Sequence, residues 1–194
     1  VCALPARAPA GRHRFNAGVG AGTSWFPSFA GRVADQPGLA SASADQAVIA
    51  WGGFLEYRPP WLPARFGLGA TFTSQDFAQA YSSADPLVPT RTTGRVSGQF
   101  FDFYGGYDLF ENEGFRFGLM LGLTLAMNDL SSTSSFGWGP DATTSRSYSG
   151  LQGIAGVDLD FPILDRLHGR VGASWSSGTS QPNADTQGRL FGRV

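Results

Sequence analysis

The chain has 194 residues, a formal net charge of −1, only 15% charged residues and 27 glycines. A near-neutral balance gives nucleic acid nothing to hold, and a charged fraction well below the roughly 25% of soluble proteins argues against a surface wholly in water. No stretch approaches the roughly 20 consecutive apolar residues of a membrane helix, and every basic residue other than histidine is arginine.

Residues 1–13 are rich in Pro, Ala and Arg, show no periodicity and are expected to form an irregular N-terminal tail. Within it, Cys2 has no partner for an internal disulfide. A lipid-modified cysteine would stand first in a processed chain, and Val1 precedes it. An ordinary terminal residue is therefore expected there.

From Arg14 to Trp25 every second residue is alike. Phe15, Ala17, Val19, Ala21, Thr23 and Trp25 form one set, while Asn16, Gly18, Gly20, Gly22 and Ser24 form the other. A period of two is a β-strand with different media on its two faces. A long polar connection, 26–45, follows. The second strand, 46–58, sets Ala47, Ile49, Trp51, Leu55 and Tyr57 against Val48, Ala50, Gly52, Phe54 and Glu56. Pro59, Pro60 and Pro63 then break the ladder, because proline has no N–H to donate. The third strand, 64–74, turns Phe66, Leu68, Ala70 and Phe72 one way and Arg65, Gly67, Gly69, Thr71 and Thr73 the other.

After a second polar connection, 75–94, the fourth strand spans 95–109, with aromatic residues on both faces. Phe101, Phe103, Tyr107 and Leu109 are assigned outward; Phe100, Asp102, Tyr104 and Asp108 are assigned inward. The turn Glu111–Gly114 leads to the clearest strand, Phe115–Asp129. There Phe115, Phe117, Leu119, Leu121, Leu123, Leu125 and Met127 alternate with Arg116, Gly118, Met120, Gly122, Thr124, Ala126 and Asn128. A third polar connection, 130–147, precedes the sixth strand, 148–161, where Leu151, Ala155, Val157, Leu159 and Phe161 oppose Gln152, Asp158 and Asp160. Residues 162–166 make a short turn. The seventh strand, 167–176, carries Leu167, Val171, Ala173 and Trp175 against His168, Arg170, Gly172 and Ser174. A fourth polar connection, 177–186, leads to a last segment, 187–194, with Arg189, Phe191 and Arg193 inward.

Eight strands joined by alternately long and short connections predict an all-β, up-and-down, eight-stranded antiparallel transmembrane β-barrel over 14–194, with four long external loops and three short periplasmic turns. A sheet in hydrocarbon must close, since an open edge would strand unpaired backbone groups. Phe115, Phe117, Leu119, Leu121, Leu123, Leu125, Val157, Leu159 and Val171 are expected to face lipid. A soluble ligand-binding barrel of the lipocalin kind would have the opposite polarity, with its apolar residues inside.

The stretch GLQGIAGVDLDFPILDRLHGRVGASW resembles the small outer-membrane barrels related to the transmembrane domain of OmpA and to the OmpX, Ail and opacity proteins. The resemblance, one of pattern over most of the chain, implies the bacterial outer membrane with both termini periplasmic. Such barrels end in an aromatic residue, whereas this chain ends Gly192-Arg193-Val194. A natural chain continuing past Val194 is therefore expected.

The candidate site is the barrel interior. Glu56, Arg58, Arg65, Asp102, Asp108, Arg116, Asp158, Asp160, Arg170, Arg189 and Arg193 all fall on the inner face or its rim. Buried charges must be paired, so a salt-bridged plug is expected ahead of an ion path. Catalysis is not expected. The two histidines, His13 and His168, both fall near the turn end, away from the loop serines that triad chemistry would need. With Cys2 they match no metal-ligand spacing, and Gly18, Gly20 and Gly22 precede no helix as a phosphate loop would require. No cofactor is implied. The function expected is a structural or interaction barrel whose loops, 26–45, 75–94, 130–147 and 177–186, meet protein partners or lipopolysaccharide. The alternative is a small channel or transport protein.

Overall fold

The computed structural model describes residues 13–25, 38–45, 47–82, 88–112, 115–164, 167–177 and 187–193. Its strands are β1 (Arg14–Trp25), β2 (Leu39–Ala44), β3 (Ala47–Arg58), β4 (Ala64–Tyr81), β5 (Arg91–Asn112), β6 (Phe115–Ser135), β7 (Ala142–Leu164), β8 (Leu167–Ser177) and β9 (Gln187–Arg193). All pairings are antiparallel. β1 lies between β3 and β9, and the circuit continues through β8, β7, β6, β5 and β4 back to β3. The sheet therefore closes into a barrel of eight staves. β2 is not a ninth stave: it lies along the same side of β4 as β3 does, higher up.

The period of two becomes the inside and outside of this wall. Along β6 the residues from Phe115 to Met127 alternate exposed and covered. Leu121 is 67% exposed, while Met120 is 3% and Ala126 0% exposed. Phe15, Val19, Ile49, Leu55, Phe66, Phe103, Leu119, Leu123, Leu151, Val171 and Trp175 are also exposed. The charged residues are inside: Arg65 is 0%, Glu56 2% and Asp158 3% exposed. An outward apolar run from Phe115 to Met127 measures about 40 Å along the strand. A stave tilt of about 40° reduces that to about 30 Å, the thickness of a bilayer's hydrocarbon core.

Three of the polar connections are shorter than the sequence suggests. β4 continues to Tyr81, β5 starts at Arg91, β6 reaches Ser135 and β7 starts at Ala142. Much of 75–94 and 130–147 is therefore paired strand, and β2 occupies part of 26–45. Their Ser/Thr-rich sequence lacks apolar alternation because neither face meets lipid there. Backbone pairing simply runs on in register, Arg91 to Ser135 and Ser134 to Ala142. Among the described residues the wall reaches highest along β4–β7.

At the opposite end β5 reaches Asn112 and β7 reaches Leu164, so strand occupies part of the segments expected as turns at 111–114 and 162–166. Each of these strands carries an irregularity close to its end, between Asp108 and Phe110 and between Pro162 and Leu164. Proline is tolerated there because a bulge needs no donor. The seven-residue β9 pairs with both β8 and β1, and so completes the wall despite its length. The tail expected over 1–13, apart from His13, and the connections over 26–37, 83–87 and 178–186 lie outside the described residues.

Candidate functional site

Inward side chains stack in layers from the turn end upwards. The lowest layer holds Arg58, Arg65 and Arg170 among Glu56, Asp108, Asp158 and Asp160. Glu56 is its hub. Arg170 donates to it through Nη1 to Oε2 at 2.9 Å and Nη2 to Oε1 at 3.1 Å, and Arg58 Nε donates to Oε1 at 2.9 Å. Arg58 Nη1 reaches Asp108 Oδ2 at 2.7 Å, Arg170 Nη2 reaches Asp160 Oδ2 at 3.1 Å, and Arg65 Nη2 pairs with Asp158. Several guanidinium nitrogens have no close hydrogen bond, yet each still faces an opposite charge. Arg65 Nη1 lies 3.3 Å from Asp108, Arg58 Nη2 3.6 Å from Asp160, and Arg170 Nε 3.9 Å from Asp158. The Arg170 guanidinium also lies over the Phe54 ring, 5.0 Å from its centroid.

Register explains which charges meet. Asp160 stands opposite both Arg116 and Arg170 across β6, β7 and β8. Glu56, by contrast, reaches Arg170 across 114 residues of sequence, a contact that only barrel closure creates. Glycines make the space. A side chain at Gly106 would collide with Arg65 Nε, and one at Gly118 would sit 2.9 Å from Arg65 Nη2. Arg65 is wholly buried and held by three acids, so Gly106→Ala should cost about 1–3 kcal/mol through overpacking. Denaturant unfolding of the reconstituted protein reads this; unchanged stability would mean that Arg65 has room to move.

Above the charges lies an apolar layer, Tyr104, Met120 and Ile154. Next comes Asp102, which accepts the Thr124 hydroxyl at 2.7 Å, and then a second apolar layer of Val48, Phe100 and Ala126. The charged residues expected inside are therefore not one network. Seven form the lowest layer. Asp102 is separated from them by the Tyr104 layer. Arg116 turns to the rim, where its Nε donates to Glu111 Oε1 at 2.8 Å. The backbones of Arg189 and Arg193 face Ser174 and Arg170 on β8, and their side chains lie outside the described residues. Sequence reasoning misses the apolar layers, Glu111 and the Tyr104 hydroxyl, 3.4 Å from Glu56. Tyr104 and Met120 are legible as inward, but only stacking shows that they form a plate.

The histidines sit at the turn end. His168 Nδ1 lies 3.2 Å from Asp160 Oδ1, and His13 Nδ1 lies 2.8 Å from the Tyr57 hydroxyl. His13 also stacks against Tyr57 and meets Trp61 edge-on, within a rim of exposed aromatics that includes Trp61, Tyr107, Phe110 and Phe115. Trp25, Trp175 and the stacked Trp51–Phe72 pair lie towards the other rim. Two aromatic girdles bounding an apolar band are the interfacial pattern of barrels in lipid.

A closed wall, apolar outside and charged inside, defines a transmembrane β-barrel with a cluster of ion pairs in its lower lumen. Among solved structures the chain is similar to Ail, the attachment invasion locus protein of Yersinia pestis, crystallised in complex with the heparin analogue sucrose octasulfate. Identity is 14%, the TM-score is 0.42, and the match covers 91% of this chain and 94% of that one. It is also similar to Neisserial surface protein A, at 13% identity and a TM-score of 0.42, covering 93% and 96%. No family model and no curated protein sequence matches the chain.

Proposed function

We propose that this protein is a bacterial outer-membrane barrel with a structural or interaction role, its turn end and both termini periplasmic and its tall end outside the cell. The observation that carries this is the division of labour along the axis. The lower lumen is closed by three arginines and four carboxylates, whereas the outer end rises as a wall whose β6–β7 tip presents Trp138, 85% exposed. That tip is held in place, since the Thr90 amide donates to Ser135 O at 2.8 Å. Gly139 beside it has φ +127°, which a residue with a Cβ rarely adopts. Loops 26–45, 75–94, 130–147 and 177–186, now partly strand, are the regions that would meet partners or lipopolysaccharide.

Purified protein in a planar bilayer should give no steady unitary current, because three arginines and four carboxylates are paired across the lower lumen. Reproducible unitary currents from the wild-type protein would overturn the plug and favour the channel alternative.

A further inference from the structure

The outward apolar surface of the tall wall stops along one cross-strand row, Phe72, Gln99, Met127 and Ser149. Above that row, among the described residues, no outward side chain on β4–β7 is a larger apolar one than alanine. The surface becomes hydroxyl. Thr93, Thr133 and Thr143 stand side by side on β5, β6 and β7, with Thr133 Oγ1 3.4 Å from Thr143 Oγ1. Ser131 and Ser145 form the row beneath.

Most charges on this face are already engaged. Arg95 grips Asp76 with two hydrogen bonds, 2.7 and 3.2 Å, and Asp129 accepts the Ser147 hydroxyl at 2.6 Å. The Arg95 hydrogen bonds also hold the Asp76 carboxyl below the usual carboxylate range, so the pair stays ionised and internally neutral. Arg91, in the top row, is the exposed exception. A phosphate would ask for clustered free cations, and a protein partner would ask for an apolar centre. Neither is built here.

The face points sideways and continues the lipid belt, so its neighbour is the head-group layer of the surrounding leaflet. From Asp129 to Ser135 it rises about 20 Å along the strand, or about 15 Å after tilt, the depth of a few sugar rings. Resting on the outer-membrane assignment above, we infer that this hydroxyl face is a contact surface for the sugar head groups of the glycolipid around the barrel. Hydroxyls suit that partner because each both donates and accepts, and so meets sugar hydroxyls in many orientations.

The test compares wild type with the triple variant Thr93→Val, Thr133→Val, Thr143→Val, which keeps shape and removes hydroxyls. Thermal unfolding midpoints are measured in bilayers of phospholipid, of lipid A without core sugars, and of glycolipid with core sugars. Wild type should gain several degrees on going from lipid A to the sugar-bearing glycolipid. The triple variant should lose most of that gain while matching wild type in phospholipid. An equal gain in both proteins, no gain in wild type, or a gain complete with lipid A alone overturns the inference. Should the triple variant not fold, Ser131→Ala with Ser145→Ala is read in the same way. Leu121→Cys on a Cys2→Ser background, labelled with a fluorophore, separates the two levels. If lipid-borne quenchers do not reach it, the membrane assignment fails; if they reach it while the sugar response is absent, only the present inference fails.

Discussion

Arg170→Met should destabilise the folded barrel by about 3–5 kcal/mol, the cost of removing one partner from a buried ionic cluster. Methionine keeps much of the length and removes the charge. The three arginines already face four carboxylates, so losing one leaves Glu56, Asp158 and Asp160 with two cations between them and Asp108. Arg170 is only 4% exposed, and little water can enter to compensate. The bidentate contact with Glu56 and the position over Phe54 are lost together. Denaturant unfolding in lipid vesicles gives the number, and a loss under about 1 kcal/mol would show that the cluster is loosely held. Adding Glu56→Gln should recover part of the loss, because it removes the carboxylate to which Arg170 was bound. A double-mutant cycle with no coupling would separate the two residues.

Leu121→Arg should cost about 2–4 kcal/mol, the penalty for a cation at the bilayer midplane on a barrel's lipid face. Leu121 is the middle member of the outward set that runs from Phe115 to Met127, and its cross-strand neighbours are Gly105 and Ala155. Neither offers a polar group to an arginine head. Ser131→Arg, on the same strand but above the apolar boundary, should cost little. Equal effects at the two positions would remove the argument for a lipid belt, and a larger effect at Ser131 would invert it.

The inside-and-outside phase of each spanning strand is legible in the sequence, because adjacent side chains on a strand point to opposite faces and lipid accepts only one kind. Phe115–Met127 shows this without ambiguity. The place of the short stave β9 between β8 and β1 is legible too, since it follows from the need to close. β5 is harder, since Phe100 and Phe101 are both aromatic; its neighbours' register decides that Phe100 fills the lumen. The upper halves of β4–β7 read as loops because a strand whose outer face has left the lipid carries polar residues on that face too, and so has no alternation to detect.

The chain by itself determined the number of staves and the polarity of the wall, both of which follow from the two-residue period and the cost of ions in hydrocarbon. Only the tertiary structure decided which charges meet. Stave tilt and stagger set the heights at which residues from different strands come level. Glu56 therefore joins Arg170, a partner 114 residues away, while Asp102, on the same inner face, is lifted past Tyr104 to Thr124. Tertiary structure also decided that β4–β7 rise past the apolar belt, because backbone pairing extends them wherever a neighbouring strand continues in register, whatever their side chains face.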